Sequence, residues 1–130
     1  MGMFNDIQRA NVLNFVPVQN LAAASNGLIG NQIDLRDLVG TVAITFDLAN
    51  VDGTTPTLDL KLQHSDTSGS GFTDVSSGAI TQVTTVAGVQ TLFLDCNALK
   101  RYAKVFMTIG GTSTPHYLVS AKGYALPQYG

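Results

Sequence analysis

Three adjacent residues, His64, Ser65 and Asp66, hold the side-chain types of a hydrolase triad. In a triad the imidazole takes the hydroxyl proton and the carboxylate orients the ring. Neighbours on an extended chain point to opposite sides, so these three do not converge. Asp66, Ser68 and Ser70 place oxygens at alternate positions, as a calcium loop does. Such a loop wants more carboxylates or amides and a closing Glu, and Asp74 comes too late to close this one. His116 follows Pro115 and has no sequence partner. It lies too far from His64 for metal-ligand spacing. Cys96 stands alone, which excludes an intrachain disulfide or a cysteine metal cluster and suits a small apolar core residue. Gly69-Ser70-Gly71 does not follow a buried strand and open a helix, so it is no phosphate cradle. There is no Trp. Tyr102, Tyr117, Tyr124 and Tyr129 are the rings left to stack on a sugar. The expectation is a protein without catalytic residues, metal or cofactor.

Composition narrows the classes further. A chain of 130 residues fits one domain. Hydrophobic residues are 45%, enough for a packed core. Charged residues are only 12%, with a net charge of -2, against about 25% charged in an ordinary soluble domain. Phosphate binding needs clustered cations, and Lys61, Lys100, Arg101, Lys104 and Lys122 are few and scattered. No nucleic-acid partner is expected. No apolar run is long enough for a membrane helix, and no membrane partner is expected. The opening MGMFNDIQRANV lacks the basic start and apolar block of a secretory signal. Thr, Ser, Gly, Asn and Gln replace the missing charge. Either other subunits cover much of the surface, or Thr and Ser simply line the outside of a β protein.

The dominant period is two. In TVAITFDLAN, Val42, Ile44, Phe46 and Leu48 alternate with Thr41, Thr45 and Asp47. In TLDLKLQH, Leu58, Leu60 and Leu62 alternate with Asp59, Lys61 and Gln63. Each reads as a strand with one buried face. NVDGTTP between them carries turn residues, so the pair reads as an antiparallel hairpin. A short strand is expected around Ile29 to Leu35. VQTLFLDC and RYAKVFMTI have apolar residues on both faces, which places them mid-sandwich or under a neighbouring subunit. GGTSTP is another turn, and HYLVSAKGYAL a last strand. His64 follows the parity of the leucines and belongs at the core rim. Asp66 to Gly71 reads as a loop with positive-φ glycines, and Phe72 and Val75 return to the core. Short strands bounded by turns predict an all-β fold: a single antiparallel β-sandwich, jelly-roll-like.

Residues 1–20 break that pattern and read as an N-terminal arm or partly docked segment, with the sandwich over 21–130. The arm carries Phe4, Ile7, Leu13, Phe15 and Val16. That much apolar surface wants a partner, unless it packs on its own domain as a terminal strand. With Tyr129 of the tail, these residues are the expected contacts to a capsid or another subunit.

LQHSDTSGSGFTDV, the KRYAKVFMTI strand and GGTSTPHYLVSAKGY together resemble small decoration or cement proteins of tailed bacteriophage heads. The resemblance spans residues 33 to 124 and rests on strand and turn pattern, with no chemical site to transfer. It implies a β-sandwich subunit, often trimeric, on the outside of the capsid at capsomer junctions. The partners it implies are the major capsid protein and further copies of the chain. The place it implies is the virion surface, after assembly in the host cytoplasm. The pattern is also similar to discoidin-type jelly rolls, through Ser65, Asp66, Phe72 and Val75 and through Arg101, Tyr102 and Lys104. Those positions are mostly structural in that family. They leave a carbohydrate-binding module on a virion or tail surface as the alternative.

Overall fold

The computed structural model describes residues 11–36 and 38–127. Its strands are β1 (Asn11–Ala22), β2 (Gly27–Asp34), β3 (Leu38–Ser65), β4 (Thr73–Ala79), β5 (Gly88–Asp95) and β6 (Tyr102–Pro127). Short 3-10 turns follow β1 and β5. The all-β antiparallel sandwich expected from the alternating pattern is what forms.

The long strands set the architecture. β3 has 28 residues and β6 has 26. They pair antiparallel along their length, from Leu38 opposite Pro127 to Ser65 opposite Tyr102. TVAITFDLAN and TLDLKLQH are therefore successive halves of one strand rather than the two arms of a hairpin. GGTSTP is likewise an interior stretch of β6. The turn residues of both stretches bend a ribbon instead of reversing a chain. The ladder slips at Asn50, Asp52 and Thr54, where Gly53-Thr54-Thr55-Pro56 lies against Gly111-Thr112-Ser113-Thr114-Pro115. Bulges and bends of this kind let a strand pass from one sheet to another.

Backbone conformation explains the corner. Gly53 and Gly111 have φ of 107° and 114°. Thr55, Ser113 and Thr114 also sit at positive φ, at 47°, 60° and 46°, which is uncommon for any residue but glycine and most of all for the β-branched threonines. A side chain on Gly53 would meet the Pro115 Cα at 2.7 Å, and one on Gly111 would meet the Thr55 carbonyl oxygen at 2.6 Å. The hydroxyls hold the bend. Thr54 Oγ1 donates to Ser113 Oγ at 3.3 Å, and Thr112 Oγ1 donates to the Thr54 carbonyl at 3.1 Å.

Folding the ribbon makes two facing layers. In the first, β5, residues 38–50 of β3, residues 116–127 of β6, and β1 lie side by side. In the second, β4, residues 57–65 of β3, residues 102–110 of β6, and β2 do. Tyr117 of the first layer donates its hydroxyl to the Thr84 carbonyl at 2.7 Å, while neighbouring Val83 bridges Leu58 of the second. That contact is out of reach unless the ribbon is folded over. Two four-stranded sheets joined by shared strands are the jelly-roll arrangement.

The core lies between the layers. Val42, Ile44, Phe46 and Leu48 face Leu58, Leu60 and Leu62 of the same strand, with Ala103, Val105, Met107, Tyr117 and Val119 from β6. The expected arm boundary at residue 20 falls inside β1. Leu13, Phe15 and Val16 are buried in this core, Phe15 and Val16 at 0% exposure. Reading them as contacts to another subunit is therefore corrected: Leu13 and Phe15 alternate like a strand, and β6 supplies their partner. Asn14 and Pro17 oppose a helix but are tolerated in a strand at a sheet edge. Phe4, Ile7 and Tyr129 lie outside the described residues.

Two substitutions measure the corner and the core it creates. Gly111→Ala is expected to lower unfolding free energy by about 1–3 kcal/mol through backbone strain. Phe46→Ala is expected to cost about 3–5 kcal/mol. Urea denaturation reads both, and an unchanged midpoint for Gly111→Ala would mean the corner is not strained.

Candidate functional site

The residues singled out for chemistry do not assemble. His64 Nδ1 accepts the Lys100 backbone N–H at 3.1 Å, while Ser65 turns away under the loop. Ser65 is buried and closes that loop: its hydroxyl donates to the Ser70 carbonyl at 2.5 Å and accepts the Thr67 N–H at 3.0 Å. Ser65 thus supplies the side-chain bonds that close the loop. Gln32 of β2 pins the far side, donating to Ser68 Oγ at 3.0 Å and accepting the Gly69 N–H at 2.7 Å. Gly69 and Gly71 take positive φ, at 81° and 74°. The loop is a braced turn between β3 and β4.

His116 has a partner the sequence did not reveal. Its Nδ1 lies 2.7 Å from Asp52 Oδ1, because the corner brings β3 and β6 together there. Asn50 Nδ2 donates to the Asp52 and His116 carbonyls at 2.8 and 3.2 Å. This cluster braces the bend. Cys96 is buried, and desolvation, with the nearby Asp95 charge, pushes its thiol pKa up. A protonated buried thiol is a poor nucleophile. No cluster of three His, Cys, Asp or Glu side chains able to hold a metal exists among the described residues.

What remains distinctive is the contrast between the two outer faces. On the second layer, Asp59, Lys61, Asp74 and Lys104 point outward. Lys61 reaches Asp74 at 3.0 Å and lies over the Phe106 ring at 5.0 Å. Hydrogen bonds from Gln63, then Lys61, hold the Asp74 carboxyl below its usual range. Arg101 grips Asp34 through Nε at 3.2 Å and Nη2 at 3.0 Å, which lowers the Asp34 pKa. Gln82 Nε2 donates to Asp59 Oδ2 at 3.0 Å. This face is salted and wet.

The first layer's outer face is different. Strand register sets Val12, Tyr124, Ala43 and Phe93 in one row across its strands. Val12 is 61% exposed, Tyr124 44% and Phe93 71%. The next row is Asn14, Lys122, Thr45 and Thr91. Val18, 73% exposed at the β1 irregularity, overhangs a depression of about 330 Å³ shared with Thr45, Asp47, Ser120, Lys122 and Tyr124. Asp47 and Lys122 are its charges, with Asp95 at the end of β5. The apolar row Val12, Tyr124, Ala43 and Phe93 thus lies exposed beside a polar row on this face. Apolar residues on both faces of VQTLFLDC were the sequence signal for it. No third layer covers this face, so the outer Val89 and Phe93 of β5 are exposed, and β5 is an edge strand rather than a mid-sandwich one.

The strands and their layers define a jelly-roll-like β-sandwich domain. No protein-family model matches the chain, and no curated protein matches it. Solved structures do share the fold. A chain of infectious bursal disease virus, Gx strain, superposes with a TM-score of 0.58 at 10% identity over 94% of this chain. The Gt strain gives 0.56 at 9% over 92%. The VP2 subviral particle of the same virus gives 0.54 at 12% over 92%. This chain spans about a third of each of those chains, 32 to 33%. At such identities the likeness is one of fold.

The most exposed consequence of the local electrostatics concerns His64. Burial, then the Lys100 charge, lowers its pKa from the ordinary 6.5. The folded ring binds a proton less readily than the unfolded one. Its stabilising contribution is therefore complete above pH 6.5 and falls as pH drops toward the lower folded value. The His64 ring is expected to titrate below 6.5 by NMR, and His64→Gln should flatten that part of the stability profile. A ring titrating at or above the ordinary value would contradict this.

Proposed function

We propose that this chain is a virion structural protein that seats on the outside of a phage capsid and braces the shell at capsomer junctions. The observation that carries the reading is the charge-poor outer face of the first layer on a stiff jelly roll. A shell brace needs no catalytic group. It needs a rigid body and a surface that can be covered. The shared fold with particle chains of infectious bursal disease virus supports a virion role. The strand and turn likeness to decoration proteins supports the outer position. On this reading the partner is the major capsid protein, the copies associate as a trimer, and assembly occurs in the host cytoplasm. Because Leu13, Phe15 and Val16 are committed to the core, the seat is assigned to Val12, Val18 and Tyr124.

Co-sedimentation with capsid shells from the same source tests this. Saturable binding at a fixed ratio is expected. Val18→Glu and Tyr124→Glu should each weaken it about tenfold, the loss of one central contact, with the unfolding midpoint unchanged. A truncation must stop at residue 10, since removing Phe15 would open the core. Absence of saturable binding would overturn the proposal.

A second reading is carbohydrate binding. The observation favouring it is Tyr124 beside Thr45, Asp47, Ser120 and Lys122 in the depression described above. An aromatic ring with polar neighbours suits a sugar ring. A saccharide bound only by the folded state must raise the melting temperature. Under this reading a saccharide panel gives such a shift, and Tyr124→Ala abolishes it. A panel without shifts sets the reading aside.

A further inference from the structure

We infer that β5 is a self-association edge, pairing antiparallel with β5 of a second copy about a two-fold axis at Thr91. The proposal does not depend on the capsid reading.

Sheet edges are ordinarily blunted by proline, charge, bulges or short length. Three of the edges here are blunted. β1 carries Pro17 and two register slips against β6. β2 slips between Ile29 and Ile33 and has Gly30 at φ 72°. β4 slips between Lys61 and Gln63 and has Ser77 at φ 60°. β5 has none of these devices. It pairs with β3 alone, in unbroken register from Gly88 opposite Leu48 to Asp95 opposite Thr41. It holds no Pro, Lys or Arg, and its one charge, Asp95, stands at its end. Gln90 is occupied within the chain, exchanging hydrogen bonds with the Thr81 backbone at 2.9 Å. Val89, Thr91 and Phe93 are left on the outer face.

The side chains select both the occupant and the register. With the axis at Thr91, each Phe93 lies opposite Val89 of the other copy, twice over. Aromatic against β-branched is a favourable cross-strand pair. Thr91 meets Thr91 and extends the Thr45–Thr91 hydroxyl contact of 3.3 Å into a row running through both molecules. Asp95 faces Ala87, so no like charges meet. Shifting the axis to Leu92 sets Asp95 against Val89. Shifting it to Gln90 leaves Phe93 opposite Ala87. One register suits all three positions, as an isologous contact requires. Such a contact closes a pair. On a shell it would tie one trimer to the next.

The test is a charge swap at the axis, read by sedimentation velocity over a concentration series without shells. Wild-type protein is expected at twice the mass of Thr91→Lys, and of Thr91→Glu, each measured alone, because each variant sets like charges opposite one another. Mixing the two variants should restore the wild-type mass. Circular dichroism confirms that each variant is folded. As a second probe, Thr91→Cys should crosslink to a disulfide dimer on mild oxidation, whereas Thr73→Cys on the β4 edge should not. Equal masses for wild type and both variants overturn the proposal. So does a mixture that fails to regain mass, which would mean that β5 docks on a different surface of its neighbour.

Discussion

The pairing of β3 with β6 is the constraint on which the rest depends. These two strands hold central places in both layers, and the other four strands attach to them. Their shared corner converts a long ribbon into a sandwich. Without it, Leu58, Leu60 and Leu62 would have no facing layer, and the alternation in β3 would bury nothing. Strain at Thr55 and Thr114 is tolerated because the core closes only when the ribbon bends there. Each of these threonines precedes a proline, Pro56 and Pro115, whose missing N–H cannot join a strand ladder. The corner thus uses residues that resist continuation as a regular element, and small hydroxyls that can bond across it.

Several features that look like chemistry serve this geometry. Asp52 and His116 meet because the corner puts them opposite one another. Ser65 is buried because the loop to β4 folds over it. Gln32 and Gln90 each satisfy both a backbone group and a second partner at places where one element passes another. Ser65, Gln32 and Gln90 thus satisfy backbone groups that the ladders leave over.

The alternation made β3 and the two halves of β6 legible in the sequence, along with β2 and the loop with Gly69 and Gly71. The topology was less legible. Asp-Gly and Thr-Pro mark a backbone that departs from extended geometry, and a reversal and a sheet-to-sheet bend ask for the same residues. Only the partner strand decides between them, and that partner lies some 60 residues away, as Asp52 opposite His116 illustrates. β1 was hidden for a related reason. Asn14, Pro17 and the register slips blur its alternation, so Leu13 and Phe15 looked like adhesive residues on an arm. The charge-poor face was visible only as a composition. Which residues share it depends on register, so Val12, Tyr124, Ala43 and Phe93 could not be joined by inspection of the chain.

Register also explains how one strand writes two different surfaces. The buried positions of β3 are even-numbered on both sides of the corner, from Val42 to Leu48 and from Leu58 to Leu62. Those of β6 are odd-numbered on both sides, from Ala103 to Ile109 and from Tyr117 to Ala125. The corner keeps the inward face inward. The outward positions before it read Thr41, Ala43, Thr45 and Asp47, and after it Thr57, Asp59, Lys61 and Gln63. Both outer faces carry charge, but in different settings: the second layer pairs Lys61 with Asp74 and Arg101 with Asp34, whereas the first sets Asp47, Lys122 and Asp95 among apolar and hydroxyl side chains. The difference leaves one salted face and one crossed by the apolar row Val12, Tyr124, Ala43 and Phe93, and β5, the one edge strand here without a blunting device, lies along the side of the second.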